Sequence, residues 1–354
     1  MKFSIIFSFT LLFYFQIVNA QVLLDADGSG NTYELINSVL APGHNVIESP
    51  DCNHSAFGRH IDEVFNAELN TNVFRFQIHV TPDNDRCINF DRQRNEIKAY
   101  DKSPDNLKGI EGEIVVYKWK FKLDVGFQSS PNFTHIHQLK SVGGDLASMP
   151  MYTLTTRKGA PDQLELRYAE TNSQITLKKT DLLPFTGIWL EVIETITYGT
   201  AGTYAIEINK VSDGSELFSY SNNAIVNWRS GAEFVRPKWG IYRSLLNAAD
   251  LRDEQALFSG FSIEEVDALS VNDSNLKKKS IRIVPNPASN QVSILEATAN
   301  TFNQLDIYDS LGRLVNQLKP LSKNINISKL NPGLYFIVFR KDSFTVGVER
   351  LMVK

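Results

Sequence analysis

The chain has 354 residues, 36 Lys and Arg against 40 Asp and Glu for a net charge of −4, 42% hydrophobic residues and two cysteines. That balance argues against a nucleic-acid partner and against a polybasic membrane patch. The length exceeds one average domain, so two domains are expected.

Lys2 is followed by an apolar run from Phe3 to about Val18, and Val18-Asn19-Ala20 puts small residues where a signal peptidase cuts. Residues 1–20 therefore read as a cleaved secretory signal. No other run approaches the roughly 18 apolar residues of a spanning helix, so no membrane span is expected and the mature protein is expected outside the cell. Asp25-Ala-Asp27-Gly-Ser-Gly-Asn31 begins like a calcium loop, but Ile36 stands at the twelfth position, where the bidentate Glu belongs. The stretch reads as a polar turn, with structural calcium near Asp25 and Asp27 as the alternative. A short helix is expected over Tyr33–Leu40. Cys52 and Cys87, an even pair in an exported chain, favour a disulfide over a metal site.

From Val73 to about Glu265 the pattern is short strands between Gly, Pro, Asn and Asp clusters. In Val73–Val80, Phe74, Phe76 and Ile78 share one face and Arg75, Gln77 and His79 the other. In Val116–Leu123, Tyr117, Trp119 and Phe121 point inward, while Lys118, Lys120 and Lys122 point outward to guard the sheet face. Further strands are expected at 151–157, 163–168, 188–198, 204–211, 216–220 and 258–266. One apolar face per strand predicts two packed antiparallel sheets, a β-jelly-roll sandwich that leaves a concave outer face for a long ligand. This domain is expected over 21–266, followed by a polar linker, 267–280, that ends in Lys277-Lys-Lys279.

Residues 281–354 carry a second set of strand signals: Pro285-Asn286-Pro287, Tyr308-Asp309-Ser-Leu-Gly312 and Asn331-Pro-Gly-Leu-Tyr335. This wording resembles the C-terminal sorting domain of the bacterial type IX secretion system. The resemblance implies a small β-sandwich, recognition by that machinery and export across the outer membrane.

Three stretches hold the candidate chemistry. Arg92, Arg94, Glu96 and Lys98 are two apart and make one charged strand face, on which Glu96 can hold Arg94 and Lys98 in place. A guanidinium there can take a substrate carboxylate through two parallel hydrogen bonds. Lys238, Tyr242 and Arg243 surround Gly240, which lets a ligand or a backbone come close. Tyrosine is a poor base at neutral pH unless neighbouring cations favour the phenolate. In the strand Phe133–Lys140, alternation puts His135 and His137 on one face. Two imidazoles without a third ligand motif argue against zinc. Each residue also has a structural reading: a solvated charged face, a half-buried core tyrosine, and structural histidines.

Arg94-Asn-Glu96-Ile-Lys98 resembles the Arg-x-Glu-x-Arg strand of jelly-roll polysaccharide lyases related to alginate lyases. His135-Ile-His137 resembles their Gln-Ile-His strand, and Lys238-Trp-Gly-Ile-Tyr242 their Lys-Ala-Gly-x-Tyr strand, in the same order. Over 53–266 the wording, including Asp91-Arg-Gln-Arg-Asn-Glu-Ile-Lys98 and Tyr100-Asp-Lys-Ser-Pro-Asp-Asn106, resembles ulvan lyases of the polysaccharide lyase family 28 type more than it does the alginate lyases. The resemblance implies an endo-acting lyase that cleaves an acidic polysaccharide, ulvan, by β-elimination at the uronic acid and needs no cofactor. It implies His137 and Tyr242 as the acid–base pair, in either order, and Arg94 as the carboxylate binder. Lys98, His135, Lys238, Arg243 and Arg75 are further substrate-binding candidates. Lys98 and His135 depart from the alginate pattern, which argues against alginate specificity; a lyase on another polyuronate, glucuronan, alginate or a heparin-like polymer, is the alternative. A glycoside hydrolase would need two carboxylates flanking the scissile bond, and no strand carries a Glu-x-Asp-x-x-Glu pattern. A carbohydrate-binding module could stack sugars on Trp189, Trp228 and Trp239, but such a module has no need of a histidine and tyrosine together.

Overall fold

The computed structural model describes residues 21–266, 282–295, 302–309, 313–319, 324–341 and 344–354. The expected signal at 1–20 and the linker at 267–280 lie outside these residues. Two compact units divide the chain, 1–270 and 271–354, each with its own apolar core.

In the first unit the elements run β1 (Gln21–Leu24), α1 (Thr32–Leu40), β2 (Ile47–Glu48), β3 (Ile61–Asn66), β4 (Thr71–Ile78), β5 (Arg92–Lys98), β6 (Ile114–Leu123) and β7 (Thr134–Val142). They continue with β8 (Tyr152–Arg157), β9 (Gln163–Tyr168), β10 (Ile175–Asp181), β11 (Leu190–Thr197), β12 (Gly202–Lys210), β13 (Glu216–Ile225), β14 (Phe234–Ser244) and β15 (Glu254–Val266). One sheet orders its strands β13-β12-β11-β6-β15-β4-β3, with β1 also on β15; the other orders them β10-β9-β8-β7-β14-β5-β2. The chain is thus the expected all-β jelly-roll sandwich. Alternation builds its core: Phe74, Phe76 and Ile78 of β4 and Tyr117, Trp119 and Phe121 of β6 are all buried, as period two requires. Aromatic contacts join the sheets, with Tyr152 stacked 4.0 Å from Tyr204 and Trp119 lying 6.0 Å from Trp239.

Two departures from regular pairing shape the second sheet. Ile136 and Leu139 of β7 are both buried, yet residues three apart in a regular strand face opposite ways. A β-bulge resolves the conflict: pairing with β8 steps from His135↔Thr155 to His137↔Leu154, and pairing with β14 steps from Tyr242↔His135 to Trp239↔His137. Beside the bulge, Gly240 adopts φ +141°. A Cβ there would meet the Asn95 carbonyl oxygen at 2.1 Å, so the glycine admits the backbone of β5.

Cys52 and Cys87 form a disulfide. Asp25 and Asp27 precede α1, and among the described residues no cluster of three or more potential metal ligands includes them.

The second unit places β16 (Arg282–Val284), β17 (Gln291–Leu295) and β20 (Asn324–Asn326) in one sheet. Its other sheet contains β18 (Gln304–Asp309), β19 (Leu314–Leu318), β21 (Gly333–Lys341) and β22 (Phe344–Val353). Ile294, Leu305, Ile307, Ile325, Ile337 and Leu351 fill the core between them.

Candidate active site

The three stretches singled out in the sequence become adjacent strands, in the order β7-β14-β5. Register aligns Tyr242 of β14 with Arg94 on one side and His135 on the other. These three side chains share the outer face of the sheet, each less than a tenth exposed. The Tyr242 hydroxyl accepts a hydrogen bond from Arg92 Nη1 at 3.1 Å, and the Arg94 guanidinium carbon lies 3.7 Å from the centre of the Tyr242 ring. The ring of His135 is 5.8 Å from that of Tyr242, and Phe133 stacks on His135 at 4.9 Å.

His137 is not part of this group, which corrects the expectation that the two histidines share a wall. The bulge turns it into the interior, where Nδ1 donates to the Lys238 carbonyl at 2.9 Å and Nε2 lies 2.8 Å from Glu194 Oε2 of the opposite sheet. Tyr204 donates to the other Glu194 oxygen at 2.7 Å. This is a buried network that joins the two sheets.

The remaining candidates separate in the same way. Arg243 follows Tyr242 by one and so faces inward, donating to Gln93 Oε1 at 2.8 Å and to the Arg252 carbonyl at 2.9 Å. Arg75 lies on the other sheet, paired with Asp62. Lys238 is on the outer face but is 2% exposed, held between Glu48 and Glu96. Lys98 pairs with Glu48 at 2.7 Å, not with Glu96. Arg94 itself is engaged by Glu96 at 2.7 Å, Asp85 at 3.0 Å and Glu48 at 3.1 Å. Its geometry therefore props up the Tyr242 ring more directly than it grips a ligand. Glu48 is the common anchor, and the sequence hid it in a two-residue strand with no periodicity to mark it.

Part of the charge around His135 comes from residues not singled out in the sequence. Arg157 of β8 and Arg167 of β9 share one carboxylate, Glu165, at 3.5 and 2.8 Å. Burial first, then the fields of Arg157, Arg94 and Arg167, hold protonation of His135 well below its ordinary range. Its Nδ1 is buried and has no hydrogen-bond partner among the described residues. Their strands were expected, but nothing in the sequence shows that Arg157 and Arg167 would lie beside His135.

One group of metal-ligating side chains occurs among the described residues: His54, His60, His79 and Asp83, in the loops before β5.

Residues 282–354 match the family model of a secretion system C-terminal sorting domain. Among solved structures, the chain resembles an endo-β-1,4-glucuronan lyase from the fungus Trichoderma reesei, at 18% identity over 58% of this chain and 86% of that one, with a TM-score of 0.42. It also resembles a PL-14 alginate lyase from Aplysia kurodai, at 12% identity over 69% and 98%, TM-score 0.47. A family-7 alginate lyase matches at 13% identity over 62% and 93%, TM-score 0.43. No curated protein sequence matches the chain.

Proposed function

We propose that the sandwich unit is a polysaccharide lyase that cleaves a uronate-containing chain by β-elimination, and that its substrate is ulvan. The observation that carries the reading is the juxtaposition on one sheet face of His135 with Tyr242, ring centres 5.8 Å apart, the Tyr242 hydroxyl bound to Arg92 and its ring lying on Arg94. A uronate carboxylate placed by His135 would answer the surplus charge of Arg157 and Arg167. Offsetting that carboxylate's charge stabilises the carbanionic character that develops at C5. Tyr242 or His135 then takes the C5 proton, and the C4–O bond breaks as the C4–C5 double bond forms. The departing O4 receives a proton from the same pair, so no water is consumed. Arg92 Nη1, 3.1 Å from the Tyr242 oxygen, and Arg94, 3.7 Å from the centre of the ring, hold Tyr242 in place on this face.

The carboxylates on this face favour elimination over hydrolysis. Glu48 and Glu96 are locked to Lys238 and Arg94, and Glu165 to Arg167, so these three carboxylates supply no free pair to flank a sugar. Trp239 and Trp189 are buried and offer no stacking platform to a binding module, and Trp228 is half-buried against the core. The sorting domain supports export by the type IX route. The test incubates the purified chain with ulvan, glucuronan, alginate and heparin and follows the ultraviolet absorbance of unsaturated uronate. Ulvan is expected to give the fastest rise. Reducing ends without that absorbance refute elimination.

A further inference from the structure

We propose that His54, His60, His79 and Asp83 form a structural site for one zinc ion. His54 lies in the turn after Cys52, His60 immediately before β3, His79 immediately after β4, and Asp83 in the loop leading to β5. One ligand atom from each lies within 4.8 Å of the others. Asp83 Oδ1 is 2.8 Å from His54 Nδ1 and 3.2 Å from His60 Nε2, and Asp83 Oδ2 is 3.1 Å from His79 Nδ1. A tetrahedral zinc site with bonds of about 2.0–2.2 Å needs ligand atoms roughly 3.3 Å apart. The cluster is therefore near its liganded size, and side-chain rotation supplies the remainder.

Two further observations point to an ion. The first is an outer partner: His60 Nδ1 is 2.8 Å from Asp51 Oδ1, while Asp51 Oδ2 accepts a hydrogen bond from Tyr33 at 2.8 Å. A carboxylate on the far nitrogen is the usual way to aim a metal-bound imidazole. The second is the shell. The Phe57 ring lies 4.4, 4.7 and 5.2 Å from the rings of His79, His60 and His54. Asp83 and His60 side chains are fully buried, while His54 and His79 keep 20% and 19% exposure, which leaves a way in. Three imidazoles and one carboxylate suit zinc better than calcium or magnesium, and four protein ligands close the site to substrate, the mark of a structural centre.

Its position gives the ion a task. Gln93 of β5 donates to the Asp83 carbonyl at 3.0 Å, and Asp85, two residues on, receives Arg94 Nε at 3.0 Å. The Cys52–Cys87 bond closes the same pair of loops. Zinc would fix the loop that positions Arg94 beneath Tyr242.

The experiment strips the full-length, oxidised protein with EDTA, dialyses it and titrates it with zinc chloride, reading bound metal by mass spectrometry and stability by thermal melting. One equivalent bound, with a raised melting temperature, is expected. His54→Ala and His79→Ala should each weaken binding at least tenfold, and Asp51→Asn about 10–100-fold. His44→Ala, an exposed histidine outside the cluster, should bind as the unaltered chain does. Circular dichroism confirms that each variant is folded, and the titration of the unaltered chain stands without them. Failure of that chain to retain zinc, retention of calcium in its place, or undiminished binding by folded His54→Ala and His79→Ala overturns the proposal.

Discussion

Tyr242 has two guanidinium neighbours with different duties. Arg92 meets its oxygen at 3.1 Å and Arg94 lies under its ring at 3.7 Å. Tyr242→Phe removes the oxygen and keeps the ring on Arg94, so turnover should fall by about 10²–10⁴-fold with little change in melting temperature. The two histidines are expected to separate cleanly. His135→Ala should cut turnover by a similar factor at near-constant stability. His137→Ala should instead cost about 3–5 kcal/mol in chemical denaturation, because it strands the buried Glu194. Equal effects on both readouts would contradict the division. Because His135 resists protonation, the fall of turnover in acid should lie below its ordinary value of 6.5. Arg157→Gln removes a cation that disfavours the imidazolium, so it should move that acid limb upward in a pH–rate profile. At this scale the sequence showed the residue types and missed the side of the sheet. Ile136 and Leu139, both apolar and three apart, were the available sign of the bulge.

Gly240 and the β7 bulge are one device at the level of the strand. The close approach of β14 to β5 allows no Cβ, with the Asn95 oxygen at 2.1 Å. Gly240→Ala should destabilise the sandwich by about 1–3 kcal/mol, measured by denaturant midpoint, and lower turnover by displacing Tyr242 two residues on. β4, β6 and β9 were legible because one full face of each is apolar. β10 was not: most of Ile175–Asp181 is exposed at the sheet edge, with Lys178 and Lys179 in place of an apolar stripe. β2 is two residues long, too short for any period. Its Glu48 nevertheless joins β5 to β14 by pairing with Arg94, Lys98 and Lys238.

For the whole molecule, that ion-pair knot sets the response to acid. Burial raises the Glu48 carboxyl, but Lys238, then Arg94 and Lys98, outweigh it and hold the group well below its ordinary 4.5. A carboxylate lowered on folding stabilises fully above its unfolded value and loses that contribution as pH falls toward the folded one. Melting temperature should therefore drop below about pH 4.5, and Glu48→Gln should lower it at neutral pH and flatten the drop. The sandwich architecture was legible from strand spacing, and the meeting of β5, β7 and β14 followed from the motif order. The cross-sheet His137–Glu194 pair and the His54, His60, His79 and Asp83 cluster were not legible, because their members come from distant strands and loops with no fixed spacing. The most direct measurement compares the full chain with Tyr242→Phe on ulvan, recording unsaturated uronate and reducing ends together. Elimination through Tyr242 predicts that both signals rise in step for the unaltered chain and that both are nearly lost in the variant while its melting curve is kept. Reducing ends without unsaturation, or an undiminished rate in the variant, would contradict it.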